Sequence, residues 1–319
     1  MACIDIFNGD ADGICALLQL RLAQPVQSRL VTGVKRDIEL VASADIQSGD
    51  QVTVLDISLD KNRDAVMAAL NLGASVLYVD HHFAGDIPKH PQLRARINTA
   101  AEVCTSLLVN GDLKGKYAHW AVVGAFGDNL DASAAALARQ LTLSAPDMAA
   151  LRELGVLVNY NGYGPSLEDL HFHPAELYRE LYAIGDPLLV VQGQSPTFLR
   201  LKNGYDADFD AVRALSPVMQ TERLGVYVLP DQPWARRISG VFSNDLTNQA
   251  PDRAHAVLSA KPEGGYVVSV RAPLNRREGA DQLCRRFPTG GGRAAAAGIN
   301  HLPDDQQEAF LQAFAENYA

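Results

Sequence analysis

Val76-Leu77-Tyr78-Val79-Asp80-His81-His82 is an apolar run that stops abruptly in one aspartate and two histidines. Its β-branched and aromatic residues, with Gly73 just upstream, predict a strand buried in a parallel sheet. Open α/β sheets place their ligands beyond the C-terminal ends of such strands. Asp80, His81 and His82 therefore stand where chemistry is expected, although a lone Asp-His pair after a strand is also ordinary turn material. Repetition shifts the balance: three other segments in the same half of the chain also carry aspartates at or just after apolar runs.

Upstream, Ile4-Asp5-Ile6-Phe7 predicts a first strand, followed by Asn8-Gly9-Asp10-Ala11-Asp12-Gly13 and a helical pattern through Ile14, Leu17, Leu18 and Leu20. Glycine permits a tight turn from which Asp10 and Asp12 point into a common space. Val52-Thr53-Val54-Leu55 predicts a strand ending in Asp56, with a helix from Asn62 to Asn71 behind it. The run Ala121 to Gly127 leads to Asp128 and reads equally as a strand or a buried helix. Strands alternating with helices describe βαβ units and a mostly parallel sheet, one edge of which can gather all these groups. Carboxylates with imidazole suit two divalent ions, manganese foremost, because it accepts oxygen ligands and tolerates imidazole.

At 319 residues the chain has room for two domains with separate cores. Its 47% hydrophobic and 20% charged residues are those of an ordinary globular protein. No basic start with an apolar stretch opens the chain, and no run approaches the roughly 18 apolar residues of a membrane span. A cytoplasmic location without membrane attachment is the expectation. The four cysteines form no C-x-x-C pair, so they read as small apolar residues in a reducing compartment. A net charge of -9 argues against coating long nucleic acid, and no long duplex DNA partner is expected. The charge is uneven, however: Arg236 to Arg293 holds ten basic residues against five acidic ones. That distribution suits cations on one wall of a cleft and an anionic substrate on the other.

From Leu137 to Tyr182 the pattern is helical, interrupted around Asn159 to Pro165, where Tyr160 and Tyr163 either stack on a base or pack at a domain junction. His171 and His173 read as structural. Gly185-Asp186-Pro187 is the expected boundary, giving a catalytic domain over 1–186, a connecting segment over 187–222 with a helix from Phe209 to Leu215, and a second domain over 223–319. Leu224 to Leu229 predicts a strand, and Val257 to Ala260 with Tyr266 to Arg271 predicts a hairpin. A helix from Gly279 to Phe287 leads to Thr289-Gly290-Gly291-Gly292-Arg293, with Ala294 to Ala297 expected to open another helix. Glycines before a helix N-terminus let the backbone approach an anion.

Taken together, Asn8-Gly9-Asp10-Ala11-Asp12-Gly13, Asp56, Asp80-His81-His82 and Asp128 resemble the successive motifs of the DHH phosphoesterase superfamily, which includes RecJ-like exonucleases, nano-RNases and cyclic dinucleotide phosphodiesterases. Gly290 to Ile299, with Ser269-Val270-Arg271 before it, resembles the glycine-rich signature of the DHH-associated domain. Two departures stand out: Ile6 holds a position where the nano-RNase and pyrophosphatase branches carry histidine, and Arg293 replaces the usual histidine of the glycine-rich signature. The resemblance implies an α/β fold with a parallel-sheet N-terminal domain, a helical connection, a smaller α/β C-terminal domain and an active site in the cleft between them. It implies a metal-dependent phosphodiesterase with two Mn2+ ions, Mg2+ or Co2+ being substitutes, held by Asp10, Asp12, Asp56, His81 and Asp128, with Asp56 bridging. His82 would contact the scissile phosphate or protonate the leaving oxygen, and Asp80 would orient the histidines. Asn8, Arg271, Gly290, Gly291, Gly292 and Arg293 would bind substrate. The expected substrate is a dinucleotide such as pGpG, formed from cyclic di-GMP, or a short oligoribonucleotide, and a homodimer is allowed. A RecJ-like single-strand exonuclease and a catalytically weak nucleotide sensor are the competing expectations.

Overall fold

The structure, a computed structural model, describes residues 1–318. The chain divides into two compact units, Met1–Asn203 and the remainder from Gly204. In the first, β1 (Cys3–Phe7), β2 (Arg29–Val31), β3 (Gln51–Leu55), β4 (Ser75–Asp80) and β5 (Leu93–Ile97) form an all-parallel sheet in the order β2-β1-β3-β4-β5. Helices α1 (Ala11–Ala23), α2 (Leu40–Ser43) and α3 (Leu59–Asn71) lie between the strands in sequence. After β5 the unit continues through α4 (Thr105–Asp112), α5 (Ala118–Gly127), α6 (Asp131–Gln140), α7 (Ala145–Asn161), α8 (Pro174–Ile184) and α9 (Pro187–Gln192) into α10 (Pro196–Arg213).

The register levels the strand ends. Phe7 pairs with Leu55 and Leu55 with Val79, and the ladder runs one step further as Asn8 N–H donates to Leu55 O (3.2 Å) and Asp56 N–H to Val79 O (3.1 Å). Asn8, Asp56 and Asp80 therefore leave the sheet side by side. The sheet reverses direction of growth at β1, which places the ligand crevice of such sheets beside the ends of β1 and β3.

Alternation divides each strand between two faces. Ile4, Ile6, Val52, Val54, Val76 and Tyr78 pack with Leu59, Val66 and Leu70 of α3, each such side chain contributing about 1.5–3 kcal/mol when fully buried. On the other face Asp5 is fully buried, and Arg21 of α1 binds it with both Nε and Nη2 while also donating to Thr53 Oγ1 (3.0 Å). Ser28 Oγ donates to the same carboxylate (2.6 Å). This ion pair fastens α1, and so the Asn8–Asp12 turn, to β1 and β3.

In the second unit β6 (Met219–Gln220), β7 (Leu224–Leu229), β8 (Ala254–Ala260), β9 (Tyr266–Arg271), β10 (Gly290–Gly292) and β11 (Ala296–Leu302) form a sheet ordered β10-β11-β9-β8-β7-β6. Only β7 and β8 are parallel, joined through α11 (Pro233–Gln249). Ala254, Ala256 and Leu258 face the core made with α12 (Ala280–Cys284) and α13 (Gln307–Tyr318), where Phe310 and Phe314 are fully buried. The alternate residues His255, Val257 and Ser259 take the other face, on which α11 packs.

Several elements differ from expectation. The Ala121 to Gly127 run takes the helical one of its two expected readings, within α5, whereas α10 is far longer than the Phe209 to Leu215 helix expected there. Gly185 (φ 81°) and Pro187 form the turn between α8 and α9 within the first unit, while the compact units part inside α10. Ala294 to Ala297 open no helix. Gly292 pairs with Ala297 in an antiparallel hairpin, and Ala296 and Ala297 pair in turn with Arg271 and Val270. Ladder pairing on both sides overrides the helical preference of alanine. Among the described residues no helix is long and apolar enough to cross a membrane.

Candidate metal centre

Both glycines of the first turn are dictated by close approach. A Cβ on Gly9 would lie 1.9 Å from Gly33 O, and one on Gly13 would lie 2.3 Å from Asn8 O. Between them Asp10 is the N-cap of α1: its Oδ1 accepts from Asp12 N–H (3.0 Å) and Gly13 N–H (3.1 Å). That arrangement satisfies two of the orphan donors at the helix start. Asp12 reaches α4 instead, its two oxygens accepting from Thr105 N–H and Ser106 N–H at 2.7 Å each in the first turn of that helix. Asp56 follows β3 directly in a left-handed conformation (φ 60°) and accepts from Thr105 Oγ1 (3.1 Å). A non-glycine residue held there costs of order 1–3 kcal/mol, a strain characteristic of functional sites.

The Asp80-His81-His82 segment divides its work. His81 is 5% exposed, and its Nδ1 lies 2.9 Å from Val103 O, so that nitrogen donates to the carbonyl and Nε2 is the atom turned to the site. Nε2 faces three carboxylates: Asp56 Oδ1 at 3.4 Å, Asp12 Oδ2 at 3.8 Å and Asp128 Oδ2 at 3.8 Å. His82 Nδ1 pairs with Asp80 Oδ1 (2.7 Å), and its side chain is 38% exposed. Asp80 is fully buried, and its Oδ2 has no hydrogen-bond partner.

Crowding dominates the electrostatics. Burial, reinforced by Asp12, Asp10, Asp128 and Asp80, pushes the Asp56 carboxyl well above its usual range. Burial also raises Asp128, against the pull of Lys35 and His81. Asp10 moves the other way: burial opposes its ionisation, but the Lys35 ammonium beside it prevails. Lys35 was not among the expected site residues. Its Nζ binds Asp10 Oδ2 and donates to Asn159 Oδ1 (3.1 Å), lies 3.8 Å from Asp128 Oδ1 and sits 5.5 Å from the centre of the Tyr163 ring.

The donor set fits one divalent cation. His81 Nε2 and the three carboxylates it faces at 3.4–3.8 Å are spaced as ligands of one ion, which stand roughly 3–4 Å apart. Asp56, His81 and His82 also offer donor atoms within 4.8 Å of one another. The structure brings Asp12, Asp56, His81 and Asp128 together around this point, whereas Asp10 is turned to its own helix start and to Lys35. Asn8 donates from Nδ2 to Lys35 O (3.2 Å), leaving its buried Oδ1 without a partner. Of the two readings of Tyr160 the structure takes packing: the residue is fully buried and bonded to His171 (2.8 Å), so it has no face for a base. His173 caps α8 through Ala175 N–H (3.1 Å), a structural role.

In the second unit Arg271 donates to Asn244 Oδ1 (3.0 Å) and Ser269 Oγ (2.9 Å). Arg293 is exposed at the β10–β11 turn. With Ala294 to Ala297 in a hairpin, no helix N-terminus lies behind Gly290, Gly291 and Gly292. Gly290 and Gly292 are required by packing instead, since a Cβ would come within 1.8 Å of Cys284 O and 2.5 Å of Ala297 Cα respectively.

No family model and no curated protein matches the chain. Solved structures do. RecJ from Thermus thermophilus in complex with Mn2+ aligns over 98% of this chain and 51% of its own, with a TM-score of 0.59 and 17% identity. An exonuclease RecJ bound to manganese aligns over 100% of this chain and 91% of its own, with a TM-score of 0.55 and 17% identity. The Mg2+ complex of the Thermus protein gives a TM-score of 0.51 at 16% identity, over 98% of this chain and 48% of that one. The chain therefore spans about half the length of the Thermus protein. At such identity the likeness is one of fold: this is a RecJ-like fold, a mixed α/β architecture built on a parallel sheet.

Proposed function

We propose that the protein is a divalent-metal-dependent phosphodiesterase acting on dinucleotides such as pGpG or on very short oligoribonucleotides. The observation that carries the reading is His81 Nε2 facing Asp12, Asp56 and Asp128 at 3.4–3.8 Å while its other nitrogen is pinned to the backbone. The RecJ structures that share the fold hold Mn2+ or Mg2+, which supports the same class of ion here. A bound cation would lower the pKa of an attacking water and neutralise charge on the phosphoryl oxygens.

The chain's own residues supply the rest. Asp12, Asp56, Asp128 and His81 would hold the ion, and the backbone amides on Asp12 and the Val103 carbonyl on His81 keep two of these side chains oriented. His82, oriented by Asp80 and open to solvent, donates a proton to the leaving oxygen, a role worth about 10²–10⁴-fold. The exposed Arg293 is the anion-binding candidate of the second unit, a guanidinium able to grip phosphate with two parallel hydrogen bonds. Phe83, directly after His82 and 73% exposed, offers the aromatic face for a base that the buried Tyr160 cannot.

A turnover panel in Mn2+ tests this: pGpG, longer oligoribonucleotides, long single-stranded DNA and pyrophosphate. Fastest hydrolysis of pGpG supports the assignment, and its resistance sinks it. The second reading, a RecJ-like exonuclease, draws on the fold likeness over nearly the whole chain and expects long single strands to be degraded with strong salt dependence.

A further inference from the structure

We propose that Lys35 takes the place of a second metal ion, so that the centre binds one divalent cation per chain, with a fixed ammonium as its partner. The inference rests on the metal-dependent reading above and narrows it. Three hard oxygen acceptors converge on Lys35 Nζ: Asp10 Oδ2, Asn159 Oδ1 (3.1 Å) and Asp128 Oδ1 (3.8 Å). Two carboxylates and an amide oxygen are the ligands a divalent cation such as Mn2+ or Mg2+ would take. They are occupied by a side chain that cannot diffuse away.

Asp10 spends Oδ1 on the amides of Asp12 and Gly13, and its Oδ2 is the oxygen the ammonium holds, so a cation at this position must compete with Lys35 for it. Withdrawal of the ammonium is opposed on several sides. The Lys35 backbone is held by its N–H to Gly162 O (2.8 Å) and by Asn8 Nδ2 on its carbonyl (3.2 Å), and Tyr163 lies beneath the ammonium. Ile6 adds no donor, since it is fully buried in the apolar cluster on the α3 face of the sheet. Asp128 spans the two positions, with Oδ1 toward Lys35 Nζ and Oδ2 toward His81 Nε2, each at 3.8 Å. It joins an ammonium to a metal position as a bridging carboxylate joins two metals.

The consequence is a site whose second positive charge is covalent and monovalent. It cannot activate a water, because an ammonium has no open coordination position, but it can neutralise Asp10 and contact a phosphoryl oxygen. The geometry assigns Lys35 as a positioning and charge-balancing residue.

Manganese binding to the full chain tests this without any substrate. Mn2+ titration followed by calorimetry and electron paramagnetic resonance is expected to give one ion on the wild type, with the six-line spectrum of an isolated centre. Lys35→Ala frees the three oxygens and is expected to take two ions, with the coupled spectrum of a pair about 3.5–4 Å apart. Two ions on the wild type, or a single ion on Lys35→Ala, would overturn the inference while leaving the metal-dependent reading intact. No ion on either protein would remove both. The wild-type count decides by itself if the variant does not fold.

Discussion

Asp56 in the first unit and His255 in the second are both almost completely buried ionisable residues, yet their surroundings differ in kind. Asp56 lies one residue past the end of β3, among four other aspartates, an imidazole and the hydroxyl of Thr105. His255 lies within β8, 2% exposed, and neither ring nitrogen has a hydrogen-bond partner. Parallel strand ends open into loops and helix starts, which supply free amides, hydroxyls and side chains from distant parts of the chain. Mid-strand positions spend their backbone donors on the ladder and offer a side chain only what the covering helix presents. The same depth of burial therefore makes a charged centre at the sheet edge and a silent neutral group inside the sheet.

The sharpest break in this contrast comes from neutralising Asp56. Asp56→Asn keeps a residue that tolerates the left-handed backbone and removes the most crowded carboxyl. Turnover is expected to fall by at least about 10³-fold, the scale of losing a principal electrostatic group. Thermal unfolding without metal should occur at the same or a higher temperature, because a strained, like-charged group has been relieved. Near-wild-type turnover would remove Asp56 from the chemistry.

His255 gives the converse through pH. Burial, with Arg253 nearby, depresses its pKa from 6.5 to about 4. The unfolded chain therefore takes up a proton near pH 6.5 that the folded chain refuses until about pH 4. Stability from this group is fully present above pH 6.5 and is lost as pH falls through that window, by roughly 3 kcal/mol at most. His255→Leu should flatten this part of the profile when urea unfolding is compared at pH 7 and pH 4.5. An unchanged slope would mean that the imidazole titrates normally.

The same contrast explains what could be read before the structure. Asp12, Asp56, His81 and Asp128 were legible because buried strands and helices are marked by apolar runs, and the aspartates punctuate their ends. Lys35 was not legible: it lies in an unpatterned loop 25 residues from Asp10, and only folding brings its amine to that carboxylate. Asp10 showed its carboxylate but not its use, since an N-cap and a metal ligand look alike in sequence. The Gly290–Ala297 segment was misread for the opposite reason. Its alanines favour a helix locally, and pairing with β9 decides otherwise. Tyr160 sits beside a glycine turn, as an exposed aromatic would, but a partner eleven residues away buries it.

The hairpin glycines sharpen the second unit's side of the comparison. Gly290→Ala would drive a Cβ into the Cys284 carbonyl and is expected to cost about 1–3 kcal/mol, whereas Gly291, with nothing within 4 Å of that position, should tolerate alanine within about 0.5 kcal/mol. Chemical denaturation of the pair measures the difference. Equal losses would mean that the glycine run is held by backbone freedom and not by packing.

The smallest expected effect concerns Phe83, which belongs to neither pattern. It follows His82 at the charged edge, its carbonyl is fixed by Ser58 Oγ (2.8 Å), and its ring is left in water. A fixed backbone under an exposed ring is a ready stacking surface, and stacking a base is worth about 1–3 kcal/mol. Phe83→Ala should therefore raise KM for pGpG by about tenfold with little change in kcat, because the ring would bind ground state and transition state alike. Pyrophosphate has no base, so if it is hydrolysed at all its KM should not move. Equal changes on both substrates would show the ring acting on the shape of the His82 segment, and no change on pGpG would leave the base to be held elsewhere.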